Sequence, residues 1–144
     1  MTEIDRERFP AWRELREKSY RDVDAELHDR EMDLILAAPS ATCFLGLSSS
    51  GEAVAMLDLT LRGSVDGRPG SPVGSFEGIY IRPAWRGENR GRKLVGFAGQ
   101  WCRSQGCRDR AADAELANTG AQTFLARAGV EETHRVVEYK KSLD

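Results

Sequence analysis

The chain has 144 residues, 40 % hydrophobic and 31 % charged, which fits a single globular domain, 1–144, able to bury a core without staples. A net charge of −2 argues against nucleic acid as a main partner, and no apolar run approaches the ~18 residues of a membrane span. Cys43, Cys102 and Cys107 are an odd number without metal-ligand spacing. With an N-terminus that lacks a signal-peptide core, they predict thiols in a reducing cytoplasm and no metal.

Residues 1–8 are polar and carry little strand signal. Pro10 suits the first turn of a helix, with Trp12, Leu15 and Tyr20 on its inner side. Asp22 is placed to cap a second helix that runs to about Ala38 and stops before Pro39. That helix carries Asp24, Glu26, Asp29, Glu31 and Asp33, either as a solvated face or as carboxylates bordering a cationic substrate. Strands follow over 42–47 and 53–62, joined by a Ser-Ser-Ser-Gly turn, then a Gly- and Pro-rich loop over 63–72. Residues 73–81 form a central strand that Pro83 ends. Leu94, Phe97, Ala98, Trp101 and Cys102 mark one face of a helix from about Asn89 to Gln105, closed by Gly106. A short strand over 110–114 and a helix capped by Asn118 or Thr119 come next. A last strand is expected around 135–139. The order is two helices, three antiparallel strands, helix, strand, helix, strand. It predicts an α+β fold with a mixed, mostly antiparallel central sheet flanked by helices.

The most informative stretch joins the central strand to the helix after it: Glu77-Gly78-Ile79-Tyr80-Ile81-Arg82-Pro83, then Arg86-Gly87-Glu88-Asn89-Arg90-Gly91-Arg92. A loop of this kind aims backbone N–H groups and a helix N-terminus at one point, which makes an anion site. Arg86, Arg90 and Arg92 add charge, and pyrophosphate is the natural guest.

These residues resemble the pyrophosphate loop of the GNAT family of acyl-CoA-dependent N-acetyltransferases, Gln/Arg-x-x-Gly-x-Gly/Ala. Arg86 fills the first position and Gly91 the last, and Asn89 stands where a glycine is usual. Asn tolerates positive φ, so the same backbone path is expected. Asn118-Thr119-Gly120-Ala121 resembles the family's Asn-x-x-Ala stretch, and Gly129-Val130 its Gly-Phe close. Leu125 stands where many members carry a Tyr that protonates the leaving thiolate, which leaves Tyr20, Tyr80 and Tyr139 as candidates. Trp12-Arg13-Glu14-Leu15-Arg16, Leu59-Thr60-Leu61-Arg62, Ser71-Pro72-Val73-Gly74, Asp113-Ala114-Glu115 and 131–137 extend the likeness. Over nearly the whole chain it is similar to bacterial aminoglycoside 6′-N-acetyltransferases. It departs from them at Asn89, at Asp58 (a Glu is more usual) and at Ser19-Tyr20 (a Trp-Pro pair is common).

The resemblance implies acetyl-CoA as co-substrate, strands splayed to admit its pantetheine arm, an aminoglycoside or other polycationic amine as acceptor, and a homodimer. It places Ile79, Tyr80, Ile81, Arg86, Gly87, Asn89, Arg90, Gly91, Arg92 and Asn118 at the cofactor. Trp12, Tyr20, Asp22, Glu77, Asp113 and Glu115 fall on the substrate side. The chemistry itself is constrained: an amine attacks a thioester only as the free base, and an alkyl ammonium has a pKa of ~10. A carboxylate beside the amine can hold the cation and take its proton. Glu77 and Asp113, which the resemblance puts at the acceptor amine, are the candidates for that role. A backbone N–H near Ile81 would polarise the thioester carbonyl, and no covalent enzyme intermediate is needed. Two other readings stay open: a GNAT enzyme for another amine (polyamine, amino sugar or peptide N-terminus), and a non-catalytic acyl-CoA-binding domain.

Overall fold

The computed structural model describes residues 1–63 and 72–143. The expected loop over 63–72, and Ser71 of the likeness above, thus fall largely outside the described residues. Met1–Asp113 form one compact unit and Ala114–Asp144 a second.

The first unit holds β1 (Thr2–Glu3), α1 (Phe9–Ser19), α2 (Ala25–Ala37), β2 (Ala41–Leu47), β3 (Ala53–Arg62), β4 (Val73–Ile81), a 3₁₀ turn (Pro83–Trp85), α3 (Arg90–Ser104) and β5 (Asp109–Ala112). The strands form one sheet in the order β1-β2-β3-β4-β5. The first four pair antiparallel in succession, and a short turn joins β2 to β3. β5 runs parallel to β4 because α3 carries the chain back across the sheet. The expected N-terminal weakness is real: β1 is two residues long.

Pro10 lies in the first turn of α1, where its missing N–H is no loss. Trp12, Leu15 and Arg16, at i, i+3 and i+4, are the buried stripe of that helix. With Met32 of α2 they cover Cys43, Leu45 and Met56 on one face of the sheet. On the opposite side Phe44 packs edge-on against Phe97 and Trp101 of α3, with ring centroids 4.8 and 6.4 Å apart.

One irregularity shapes everything downstream. Asp58 pairs with Gly78, but the next residue, Leu59, pairs with Phe76, so Glu77 is an extra residue in β4, a β-bulge. In an unbulged strand Glu77 would share a face with Leu59. Here its carboxylate meets the Thr60 hydroxyl at 2.6 Å instead.

Two expectations are corrected. Asp24, not Asp22, caps α2: its backbone is extended (φ −73°, ψ 164°) and its carboxylate accepts from the Leu27 N–H at 2.8 Å. Residues 20–23 form a turn, with the Val23 N–H directed at the Tyr20 carbonyl, so Asp22 lies before the cap position. The strand expected around 135–139 does not form either; 130–143 are neither helix nor strand. Val136, Val137 and Tyr139 are largely exposed. Their β-forming side chains are not sufficient, because a strand exists only through its ladder partners. The second unit therefore contributes one regular element, α4 (Thr119–Arg127), capped by Asn118.

Replacing the true cap, Asp24→Ala, should lower stability by about 1 kcal/mol in a urea titration. Asp22→Ala should change it by less than about 0.5 kcal/mol. Equal losses, or the reverse order, would contradict the cap assignment.

Candidate active site

A cleft of about 420 Å³ opens on the α1–α2 side of the sheet, and Tyr20, Glu31, Asp58, Thr60 and Glu77 are among the residues that line it. Its floor is a buried polar cluster. The Tyr20 hydroxyl donates to Asp58 Oδ2 at 2.7 Å. The Arg16 guanidinium lies against the same oxygen at 3.4 Å and pairs with Glu31 through its other nitrogen. A methyl group at Gly78 would stand 2.1 Å from the Tyr20 hydroxyl, so the lack of a side chain there admits the ring. Burial pushes the Asp58 carboxyl above its usual range, against the opposing influence of Cys43, Tyr20 and Arg16. Burial, then the Asp58 charge, pushes the Tyr20 hydroxyl well up. Tyr20 thus keeps its proton and spends it on Asp58.

At the mouth of the cleft the bulge presents Glu77. Its Oε1 accepts from Thr60 Oγ1 at 2.6 Å and from Arg62 Nη2 at 3.1 Å. The same Arg62 nitrogen lies 3.5 Å from Asp113 Oδ2. The two carboxylates proposed from sequence are therefore brought together on one guanidinium. Burial raises the Glu77 pKa, but the hydrogen bonds from Thr60 and Arg62 outweigh it and hold the group below the usual glutamate range. Glu77 is a carboxylate at neutral pH.

β4 continues past the bulge through Ile79, Tyr80 and Ile81 into the basic loop. Gly87, Glu88 and Asn89 adopt φ of 91°, 52° and 60° in succession, and Asn89 does occupy the left-handed region expected of it. The Asn89 side chain makes no cap, and the Arg90 N–H turns back to the Gly87 carbonyl at 3.1 Å. Arg86 Nε donates to the Ile81 carbonyl at 2.8 Å and Arg90 Nη1 to the Trp85 carbonyl at 2.9 Å; both guanidiniums brace the loop. They also stack over Tyr80 and Trp85. Gly91 lies in the first turn of α3, and Arg92 beside it is exposed. The other Arg90 nitrogen pairs with Glu88 at 2.7 Å. A left-handed loop at a helix N-terminus with arginines in it suits a pyrophosphate.

The remaining expected residues are placed as follows. Trp12, expected at the substrate, is fully buried in the core; on a helix whose inner stripe begins at that position, its indole is packing material. Asp22 is exposed in the turn after α1. Glu115 and Asn118 belong to the second unit, where both are exposed and the Asn118 carboxamide oxygen accepts from the Ala121 N–H at 3.0 Å. Tyr139 is 92 % exposed.

Sequence reasoning gave no role to Arg16, Thr60 and Arg62, and met Asp58 only as a departure from a pattern. Two of them had a readable signal. Arg16 falls on the apolar stripe of α1, and Asp58 interrupts the apolar run Val54–Leu57 and Leu59; a charge in either place requires a partner.

Residues 9–130 match the acetyltransferase (GNAT) family. The chain belongs to that family. It is 36 % identical over 140 residues to an aminoglycoside N(6′)-acetyltransferase type 1 of Serratia marcescens, covering 96 % of each chain. It is 37 % identical over 134 residues to that of Acinetobacter haemolyticus, covering 92 % of this chain and 91 % of the relative. Among solved structures, the apo aminoglycoside 6′-N-acetyltransferase AAC(6′)-IG of Acinetobacter haemolyticus superposes with a TM-score of 0.88 at 34 % identity, covering 99 % and 98 % of the two chains. AAC(6′)-Iy in complex with a bisubstrate analogue, CoA-S-monomethyl-acetylneamine, gives 0.87 at 29 % identity over 97 % and 95 %. The GNAT fold implied by the resemblance is thus the fold observed.

Asn89→Gly should keep the melting temperature within a degree or two, because the site needs positive φ and little else from the side chain. Asn89→Val should destabilise by roughly 1–2 kcal/mol, because a β-branched residue resists that conformation. A Val variant as stable as wild type would contradict the left-handed assignment.

Proposed function

We propose that this GNAT acetyltransferase moves the acetyl group of acetyl-CoA to the 6′-amine of aminoglycosides by direct attack of the amine. The observation that carries the reading is the full-length likeness to aminoglycoside 6′-N-acetyltransferases, together with a cleft whose rim presents two carboxylates, Glu77 and Asp113. A polycationic acceptor needs permanent counter-charges, and Glu31 and Glu77 line the same cleft.

Acetyl-CoA supplies the activated acyl group. The residues that would hold it are those of the loop, with the pyrophosphate on the N–H groups at the start of α3 and within reach of Arg86, Arg90 and Arg92. Asn118 would contact the pantetheine arm, and an N–H near Ile81 the thioester carbonyl. Glu77 takes the amine proton, directly or through a water, because it is ionised and the Thr60 hydroxyl holds its Oε1 in place. Asp113, more exposed, supplies counter-charge and orientation. Tyr20 positions the cleft floor and is not the acid for the leaving thiolate, since its proton is committed to Asp58.

The same reading takes the chain as one catalytic domain acting as a cytoplasmic homodimer, with no nucleic-acid or membrane partner. No helix among the described residues is long and apolar enough to cross a membrane, and the family match runs through both units.

Thiol release from acetyl-CoA should be seen with a kanamycin-type drug bearing a 6′-amine and not with its 6′-hydroxyl analogue. Comparable turnover of the hydroxyl compound would defeat the regiochemistry. Turnover of a simple polyamine alone would move the reading to another amine. Glu77→Gln should lower kcat by about 100-fold or more; Asp113→Asn should mainly raise KM. Because Glu77 titrates below the ordinary glutamate range near 4.3, wild-type kcat/KM should show no acidic limb from this group above that pH. It should climb toward alkaline pH as the substrate ammonium deprotonates. A limb near pH 6 that vanishes in Glu77→Gln would contradict the assigned environment.

A further inference from the structure

One nitrogen of Arg62 is bracketed by two carboxylates. Nη2 lies 3.1 Å from Glu77 Oε1 and 3.5 Å from Asp113 Oδ2. These are the two groups to which the acetyl-transfer reading assigns the acceptor amine. A primary ammonium is likewise one nitrogen bearing several N–H donors, and it would take the same two oxygens at similar lengths. A guanidinium and an ammonium cannot hold that point together, because like charges a few ångströms apart repel.

We propose that Arg62 is an intramolecular stand-in for the acceptor ammonium: its Nη2 fills the ammonium position between Glu77 and Asp113 in the free protein and yields it when the amine binds. The inference rests on the proposed acetyl transfer and deepens it by naming a residue that sets which amines are accepted.

Three observations make the exchange feasible. First, the pairs are weakly held. The side chains of Arg62, Glu77 and Asp113 are 39 %, 36 % and 80 % exposed, and ion pairs that open to solvent contribute little. Second, Glu77 does not depend on Arg62 for its place. Thr60 Oγ1 donates to the same Oε1 at 2.6 Å, from the neighbouring strand, so the carboxylate stays aimed when the guanidinium leaves. Third, the other charged neighbour of Glu77, Asp58, is already occupied by Tyr20 and Arg16 and offers Arg62 no competing partner.

The consequence is a selection rule. Entry of the acceptor replaces one cation by another at the same oxygens, which is close to neutral for a monoamine. An acceptor gains net affinity only through further cationic groups that reach other carboxylates of the cleft, such as Glu31. Arg62 thus weakens binding of every amine and leaves polycations as the acceptors that overcome it.

The test uses full-length Arg62→Met and Arg62→Gln, with Arg62→Lys as the variant that keeps a cation there. Binding of kanamycin is measured by calorimetry, and KM for kanamycin and for a simple alkyl monoamine by thiol release; thermal melting verifies that each variant folds. Met and Gln should bind kanamycin about three- to tenfold more tightly than wild type, and Lys should stay near wild type. The monoamine should gain at least as much as kanamycin, so the preference for the polycation narrows. Glu77 faces Thr60 and Arg62 of β3, Asp58 behind them and Asp113. Losing Arg62 removes its cation, so the acidic limb of kcat/KM should move to higher pH. Weaker kanamycin binding by both neutral variants would overturn the inference, because Arg62 would then help hold the substrate. No binding and no turnover of kanamycin by wild type would overturn the acetyl-transfer reading itself, and the inference with it.

Discussion

The bulge at Glu77 is the constraint on which the site depends. β4 has to serve the core through Val73, Gly74, Ser75 and Phe76, which are buried, and then open the sheet toward a ligand. One extra residue does both. It keeps Phe76 paired with Leu59 and Gly78 with Asp58, and it turns Glu77 toward Thr60 instead of the Leu59 side. Gly78, next in line, leaves the space that Tyr20 fills. A strand with regular pairing would keep its hydrogen bonds and lose the arrangement of carboxylates.

Around that bulge the charges are arranged by depth. Asp58, deep in the cleft, has its Oδ2 held by groups that do not leave: Tyr20 and the buried Arg16. A lone buried carboxylate there would be costly, and this pairing is what makes its position tenable. Glu77 and Asp113, nearer solvent, share a partner that can leave. In the proposed reaction the permanent pair shapes the cleft and the replaceable pair receives the amine. The basic loop is likewise held from within, since Arg86 and Arg90 donate to the Ile81 and Trp85 carbonyls and shape it.

Much of this was legible in the sequence, and the failures have physical causes. β3 and β4 were placed to the residue, and α3 to within one, because glycine, proline and apolar spacing punctuate them. The left-handed Asn89 was legible from its place at a usual glycine of the family's loop and from the tolerance of Asn for positive φ. The cap of α2 was misplaced because Asp22 and Asp24 are chemically identical, and a two-residue turn decides between them. The last strand failed because Val136 and Val137 advertise a propensity that only a neighbouring strand can realise. Trp12 was assigned to substrate although its place on the inner stripe of α1 predicted burial equally well. Within the site, Glu77 and Asp113 could be singled out because the family resemblance puts them at the acceptor amine. Their meeting on Arg62 could not, because it depends on a register that a bulge shifts by one residue, and nothing local in Phe76-Glu77-Gly78 dictates that shift.

The account stands or falls on where the acceptor nitrogen sits. A crystal structure of the protein with a 6′-amine aminoglycoside and CoA would locate it. The account predicts the 6′ nitrogen within hydrogen-bond distance of both Glu77 and Asp113, with Glu77 still held by Thr60 and the Arg62 guanidinium swung out. A 6′ nitrogen remote from both carboxylates, with the Arg62–Glu77 pair intact, would contradict it.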